Sequence, residues 1–385
     1  MSSYTPSWLT EEHVIFKEMA ERVFANELAP ELDRWLEQGI VDRDAWRAAG
    51  QAGMLLTDMP VEYGGGGGDF GHEALALEAA ERVGVAANMA LTVHSTICAP
   101  YILNYGTELQ KTRWLPRMAS GDAVAAIAMT EPGTGSDLQA IKTTAAPASD
   151  GRDGYVLNGQ KTFISNGQHA DLIIVVALTG GDGAKGISLL VVEAEDAAGF
   201  RRGRNLEKLG QKAADTSELF FDDVFVPSGH LLGEEEGQGF YQLMTQLPRE
   251  RLSVGILAVA AMERALALTV DYVKERKAFG KTIADFQNTQ FKLAECKTEA
   301  HIARVFVDNC IERLMRDELD AETASMVKWW TSDKQCEGID ECLQLHGGYG
   351  YMWEYPIAKM YADARVQKIY AGSNEIMKVL IARGL

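Results

Sequence analysis

The hydrophobic pattern changes period twice along the chain, and that order restricts the fold more than any single motif. From about residue 7 to 120 the apolar positions recur at helical spacing, as in Glu73 to Val83 and Thr92 to Tyr105. Leu9-Thr10-Glu11-Glu12 reads as a helix entry, with Thr10 as the N-cap and acids in the first turn. From about 122 to 235 the pattern becomes short runs of β-branched and aromatic residues separated by Gly, Asp and Asn. These are Tyr155 to Leu157, Leu172 to Ala177, Ile187 to Val192 and Leu219 to Val226. Helical spacing returns after Gly239, through Glu250 to Arg276 and Gln287 to Arg316, with a turn over Lys277 to Asp285. The expected fold is α+β in three parts. An N-terminal α-helical domain covers 1–121 and a middle antiparallel β domain, sandwich or small barrel, covers 122–236. A C-terminal α-helical bundle covers 237–385. The run Gly64 to Gly68 lacks the GK[ST] ending of a phosphate-cradling loop and reads as a mobile surface turn.

Charge narrows the function. The chain carries 55 acidic against 37 basic residues, a net charge of −18. Such a surface repels phosphate backbones and anionic lipid, so nucleic acid and membrane surfaces are not expected partners. An anionic ligand still fits a local positive site. No stretch reaches the roughly 20 uninterrupted apolar residues of a membrane span. The cysteines Cys98, Cys296, Cys310, Cys336 and Cys342 are odd in number and form no CxxC pair. They read as small buried hydrophobes in a reducing compartment, and the expected location is the cytoplasm of a bacterium. No His, Cys and acid cluster has metal-ligand spacing, and no metal is expected.

Three segments carry candidate chemistry. Met129-Thr130-Glu131-Pro132-Gly133-Thr134-Gly135-Ser136-Asp137 follows the apolar strand Ala123 to Ala128. A Gly-rich turn with three hydroxyls suits the polar edge of a flat heterocycle or a phosphate; it is equally a tight surface turn. In Gln160-Lys161-Thr162-Phe163-Ile164-Ser165-Asn166-Gly167, strand alternation puts Phe163 and Ser165 on one face. There Phe163 either covers a ring whose edge Ser165 bonds, or is a core residue beside a satisfied serine. Glu250 shares a helical stripe with Leu243, Leu247, Val254, Leu257 and Ala261, which makes it either a desolvated base or a structural carboxylate paired with a neighbouring arginine. Pro248 is expected to start or kink this helix.

Together with further segments these motifs resemble the acyl-CoA dehydrogenase family over nearly the whole chain. The further segments are Lys208 to Lys212 leading into Phe220 to Pro227, Glu275 to Lys281, Gln344 to Gly350, and the tail Tyr370-Ala371-Gly372-Ser373-Asn374-Glu375. Leu247 to Leu252 and Gly350 to Pro356 are most similar to the long-chain members, with the isovaleryl type next. The resemblance implies a bound FAD and conversion of a medium- to long-chain acyl-CoA to its trans-2-enoyl-CoA, with electrons passed to an electron-transfer flavoprotein. Many relatives carry the catalytic glutamate where Ala371 stands here; the resemblance moves the base to Glu250. A backbone N–H at Ala371 would then polarise the thioester.

By the same resemblance, Ile127, Met129, Thr130, Gly135, Ser136, Phe163, Ile164 and Ser165 contact the flavin, flanked by Ser373 and Glu375. Arg276, Phe279, Gln287 and the turn Gln344, Leu345, His346, Gly347 and Gly348 reach the pyrophosphate and adenine side of an FAD in a neighbouring subunit. That implies a homotetramer, a dimer of dimers with FAD sites shared between subunits. Ser136, Tyr241, Pro248, Arg251, Ala371 and Gly372 are the implied substrate contacts. A branched short-chain dehydrogenase, an oxidase on the same fold, and a non-catalytic flavin- or acyl-CoA-binding scaffold are the competing readings.

Overall fold

The computed structural model describes residues 4–181 and 183–385. Helices open the chain. Glu11–Val23 begins on Thr10, whose hydroxyl accepts the His13 N–H, and Phe70–Arg82 begins in the same way on Asp69 and His72. Each start satisfies amide hydrogens that a helix end would leave bare. With Ala99–Tyr105 and Glu108–Ala119 these helices enclose Trp35, Trp46, Tyr101 and Trp114, all fully buried.

Seven strands follow: β1 (Ala125–Ala128), β2 (Thr144–Pro147), β3 (Gly154–Ser165), β4 (Leu172–Leu178), β5 (Ile187–Glu193), β6 (Phe200–Asn205) and β7 (Thr216–Pro227). They form one curled sheet in the order β1-β4-β2-β3-β7-β6, with β5 on the other edge of β4. Most pairs are antiparallel, but β1 runs parallel to β4, and β2 touches β4 in parallel at Thr144 and Leu178. Two strands lie outside the sequence reading. β2 offers one β-branched residue and a proline, and β6 is an Arg-rich edge strand, so neither carries the apolar run that marks a buried strand.

The C-terminal region is helical again: Gly239–Glu275, Gln287–Met315, Ala321–His346, Pro356–Ala364 and Asn374–Ala382. The first of these shows that Pro248 does not start its helix. The helix begins at Gly239 and continues through the proline. Its first turns are held from outside: Gln242 donates to the Leu232 carbonyl at 3.1 Å, and its own carbonyl accepts from Tyr105 at 3.3 Å. By length and composition this helix contains a window able to cross a membrane, but 67% of that window is buried within the protein, as a core helix requires.

The glycine run is not the mobile turn its composition suggests. Gly65, Gly66, Gly67 and Gly68 donate backbone hydrogen bonds to Pro60, Leu56, Met59 and Thr57 at 2.8–3.1 Å. A Cβ on Gly65 would stand 2.4 Å from the Met59 carbonyl oxygen, and one on Gly66 2.6 Å from that of Thr57. Glycine is required because two backbones meet there without side chains between them.

Candidate active site

The N-terminal helices, the first strands and the long C-terminal helix converge on a cleft of about 480 Å³. Glu250 lines it and is only 4% exposed. Burial pushes its carboxyl up to about 7, against the opposing pull of the Tyr101 hydrogen bond and the Arg251 charge. The arginine-paired alternative does not hold. Arg249 is committed to Asp58 at 2.6 Å and to the Thr96 carbonyl at 3.0 Å. Arg251 donates to Ser325 at 3.3 Å, and its buried Nε has no protein partner among the described residues. The partner of Glu250 is Tyr101, whose Oη donates to Oε1 at 2.8 Å.

The opposite wall is the Gly-rich turn. Ile127, Met129, Thr130, Gly135 and Ser136 all line the cleft. The turn is anchored from behind by Glu131, whose carboxylate accepts the backbone N–H of Lys142 (2.7 Å) and of Thr143 (2.9 Å). The fully buried Lys161 ammonium bridges Glu131 at 2.9 Å and the Met129 carbonyl at 3.0 Å. Burial brings Lys161 down to about 8. For Glu131 burial acts upward, but Thr143 and the Lys161 charge outweigh it and hold the carboxyl below its usual range.

Phe163, Ile164 and Ser165 also line the cleft, although not by the alternation expected. The pairing of β3 with β7 slips between Lys161 and Ile164, and Phe163 sits at φ +60°. This bulge turns three consecutive residues toward one cavity, where a regular strand would present only every second one. Phe163 is 68% exposed and so is not a core residue.

The tail closes the third side. Ala371 and Gly372 both take left-handed conformations, φ +54° and +88°, and both line the cleft. Lys328, fully buried, donates to the Gly372 carbonyl at 2.7 Å and to Asn374 at 2.9 Å, fixing this turn. Burial and the nearby Arg251 bring Lys328 down to about 7.

Other expected residues lie elsewhere. Tyr241 and Pro248 do not line the cleft; their helix neighbours Phe240, Met244 and Leu247 do, because the helical turn aims those positions inward. Ser373 caps the last helix by accepting the Ile376 N–H, and Glu375 is exposed in its first turn. Arg276, Phe279, Gln287 and the Gln344 to Gly348 turn are also outside it. Tyr272 stacks on His346 with ring centres 4.3 Å apart and donates to its carbonyl at 3.1 Å, while the Arg276 guanidinium lies 5.3 Å from the Tyr349 ring. Phe279 is 95% exposed at φ +51°.

The fold brings together one group of possible ligand side chains that spacing along the chain does not reveal. Asp69 Oδ1 lies 2.8 Å from His13 Nε2 and 2.9 Å from His72 Nδ1. Spacing along the chain hides this, since His13 and Asp69 are 56 residues apart. Each imidazole serves one of the two helix caps described above.

Tyr101, Lys328 and the Glu131–Lys161 pair had no place in the sequence reading. Lys328 gave the clearest signal, a lone cation in Met326-Val327-Lys328-Trp329-Trp330.

One cleft is therefore lined by a desolvated carboxylate, a hydroxyl-bearing turn and a backbone corner with two left-handed residues. The sequence matches the N-terminal (residues 10–122), middle (126–224) and C-terminal (237–385) domains of acyl-CoA dehydrogenases. It is 49% identical over 375 residues to the mitochondrial long-chain specific acyl-CoA dehydrogenase of Mus musculus, covering 97% of this chain and 86% of that one. The fold is similar to a crystal structure of an acyl-CoA dehydrogenase from Geobacillus kaustophilus (TM-score 0.95, 47% identity, 99% of each chain). It is also similar to an acyl-CoA dehydrogenase complexed with FAD from Bacillus anthracis (TM-score 0.92, 32% identity, 99% of this chain and 68% of that one). The chain belongs to the acyl-CoA dehydrogenase family. It is an oxidoreductase with the three-part fold expected, and its cofactor is FAD.

Proposed function

We propose that this chain desaturates a medium- to long-chain acyl-CoA at the α,β position, with Glu250 as the base. The observation that carries this reading is the placement of Glu250: a buried carboxylate, free of any ion pair among the described residues, on the wall of the cleft that the Gly-rich turn and the Ala371 corner also line. An α C–H beside a thioester is a weak acid. A base stripped of water is a stronger proton acceptor there than one in solution. The Ala371 N–H, held by the Gly372–Lys328 contact, serves the thioester oxygen as it gains charge.

The residues present fit an isoalloxazine. Thr130, Ser136 and Ser165 offer hydrogen bonds to a polar edge, while Ile127, Met129 and Phe163 offer apolar contact to a flat face. FAD held by these residues would supply the acceptor for the β hydrogen, which leaves as hydride. Arg276, Phe279, Gln287, Gln344, Gly347 and Gly348, exposed away from the chain's own cleft, would serve the FAD of a neighbouring subunit in a homotetramer, with Leu345 and the buried His346 completing the turn. The apolar wall of Val93, Ile97, Phe240, Met244 and Leu247 supports a fatty acyl group. An electron-transfer flavoprotein as acceptor and a cytoplasmic location complete the proposal.

Anaerobic titration of the flavin-loaded protein with acyl-CoAs of increasing length tests it. Flavin bleaching strongest with medium to long chains is the expected result. Bleaching by isovaleryl-CoA alone would move the substrate to the branched class, and no bleaching with any acyl-CoA would leave a binding scaffold.

A further inference from the structure

Glu250 has two oxygens, and among the described residues only Oε1 is engaged by another side chain. Its donor, the Tyr101 hydroxyl, comes from the Ala99–Tyr105 helix, 149 residues away in sequence, so the contact joins the N-terminal helices to the long helix Gly239–Glu275. Tyr101 is fully buried and lies outside the cleft lining, so it stands behind the carboxylate. Its ring is held beside Tyr105, 6.1 Å between centres. The Tyr105 hydroxyl bonds in turn to the Gln242 carbonyl and to Gln246, two turns and one turn before Glu250 on the long helix.

The charged and titratable groups that bear on Glu250 are few. Tyr101 and Cys98 face it from the N-terminal helices, and Arg251 adjoins it on its own helix. Burial pushes both the Tyr101 phenol and the Cys98 thiol well above their ordinary values, so both are neutral where the carboxylate works. A neutral donor suits a base better than a cation would. An ion pair would stabilise the carboxylate so strongly that it lost proton affinity; a phenol fixes its direction and only moderates the effect of burial.

We propose that Tyr101 is a positioning residue for the general base: its hydroxyl holds Glu250 Oε1 so that Oε2 is turned to the substrate α carbon. The α proton passes to Oε2, and Tyr101 keeps its own proton throughout. The inference rests on Glu250 being the base.

The test uses Tyr101→Phe in the flavin-loaded enzyme, with Glu250→Gln run beside it. Single-turnover flavin reduction should slow by about 10- to 100-fold, the loss a misaimed reacting group brings. The acid limb of its pH profile should move up by roughly one pH unit, since the donor that favours the ionised form is gone. An infrared titration of the protonated-carboxyl band, assigned by its absence in Glu250→Gln, should move the same way without reference to turnover. Flavin content and melting temperature report folding. If Tyr101→Phe folds poorly, 3-fluorotyrosine at position 101 keeps the shape and strengthens the donor, and should move both midpoints down. Unmoved midpoints in these variants would overturn the proposal, whatever the rate. Rapid reduction in Glu250→Gln would instead overturn the assignment of the base, which separates the two failures.

Discussion

Replacing Lys161 by methionine isolates what anchors the Gly-rich turn on the cleft wall. The ammonium is fully buried, bridging Glu131 at 2.9 Å and the Met129 carbonyl at 3.0 Å, and Glu131 is itself 7% exposed. Methionine fills similar space but leaves a buried carboxylate with only the Lys142 and Thr143 amides. Breaking one side of a buried pair costs about 3–5 kcal/mol, because the remaining charge is stranded. A folded protein holds roughly 5–15 kcal/mol in all, so this loss takes a large share. The midpoint of thermal unfolding should fall by roughly 4–6 °C. Bound flavin should fall with it, since Met129 and Thr130 lose their backing. Adding Glu131→Gln removes the stranded charge and keeps an acceptor for one amide. The double variant should therefore lose less than the two single losses combined, with a coupling of about 2 kcal/mol or more. Calorimetry and flavin absorbance read all four proteins. A Lys161→Met protein melting within a degree or two of the parent with full flavin would refute the reasoning.

Two further outcomes follow from the same geometry. Glu250 is held at about 7 by burial against an ordinary value of 4.5, so the folded protein binds the extra proton between those limits. Stability then falls as pH rises through that window; Glu250→Gln should match the parent below pH 4.5 and exceed it by about 3 kcal/mol above 7, measured by denaturant unfolding across pH. Gly65→Ala forces a Cβ to within 2.4 Å of the Met59 carbonyl oxygen and should cost about 1–3 kcal/mol, whereas Gly133→Ala, with nothing within 4 Å, should change stability by less than about 0.5. Equal tolerance of both in thermal melts would restore the mobile-turn reading.

The three-part fold was legible because each part keeps its own hydrophobic period over tens of residues. The Gly-rich turn and Glu250, which line one cleft, were legible as well, the first being short, contiguous and unusual in composition and the second an acid in an apolar stripe. What stayed hidden depends on contacts between distant segments. Tyr101 looks like any aromatic on an apolar helix until that helix lies against Glu250. The His13, Asp69 and His72 cluster exists only because two helix starts meet. The glycine run misled because composition reports backbone freedom, whereas close approach to Leu56 through Pro60 removes it. At Phe163 strand alternation failed at a bulge, a local break that an average period cannot register.

The most direct measurement is single-turnover, anaerobic flavin reduction by a long-chain acyl-CoA in Glu250→Gln, compared with the parent at a pH above 7. Glutamine keeps the shape and an acceptor for Tyr101 but takes no proton. The account predicts intact flavin and substrate binding, with reduction slowed by about 10⁴-fold, the upper range for losing a general base. Reduction within about tenfold of the parent would contradict it and place the base on another residue.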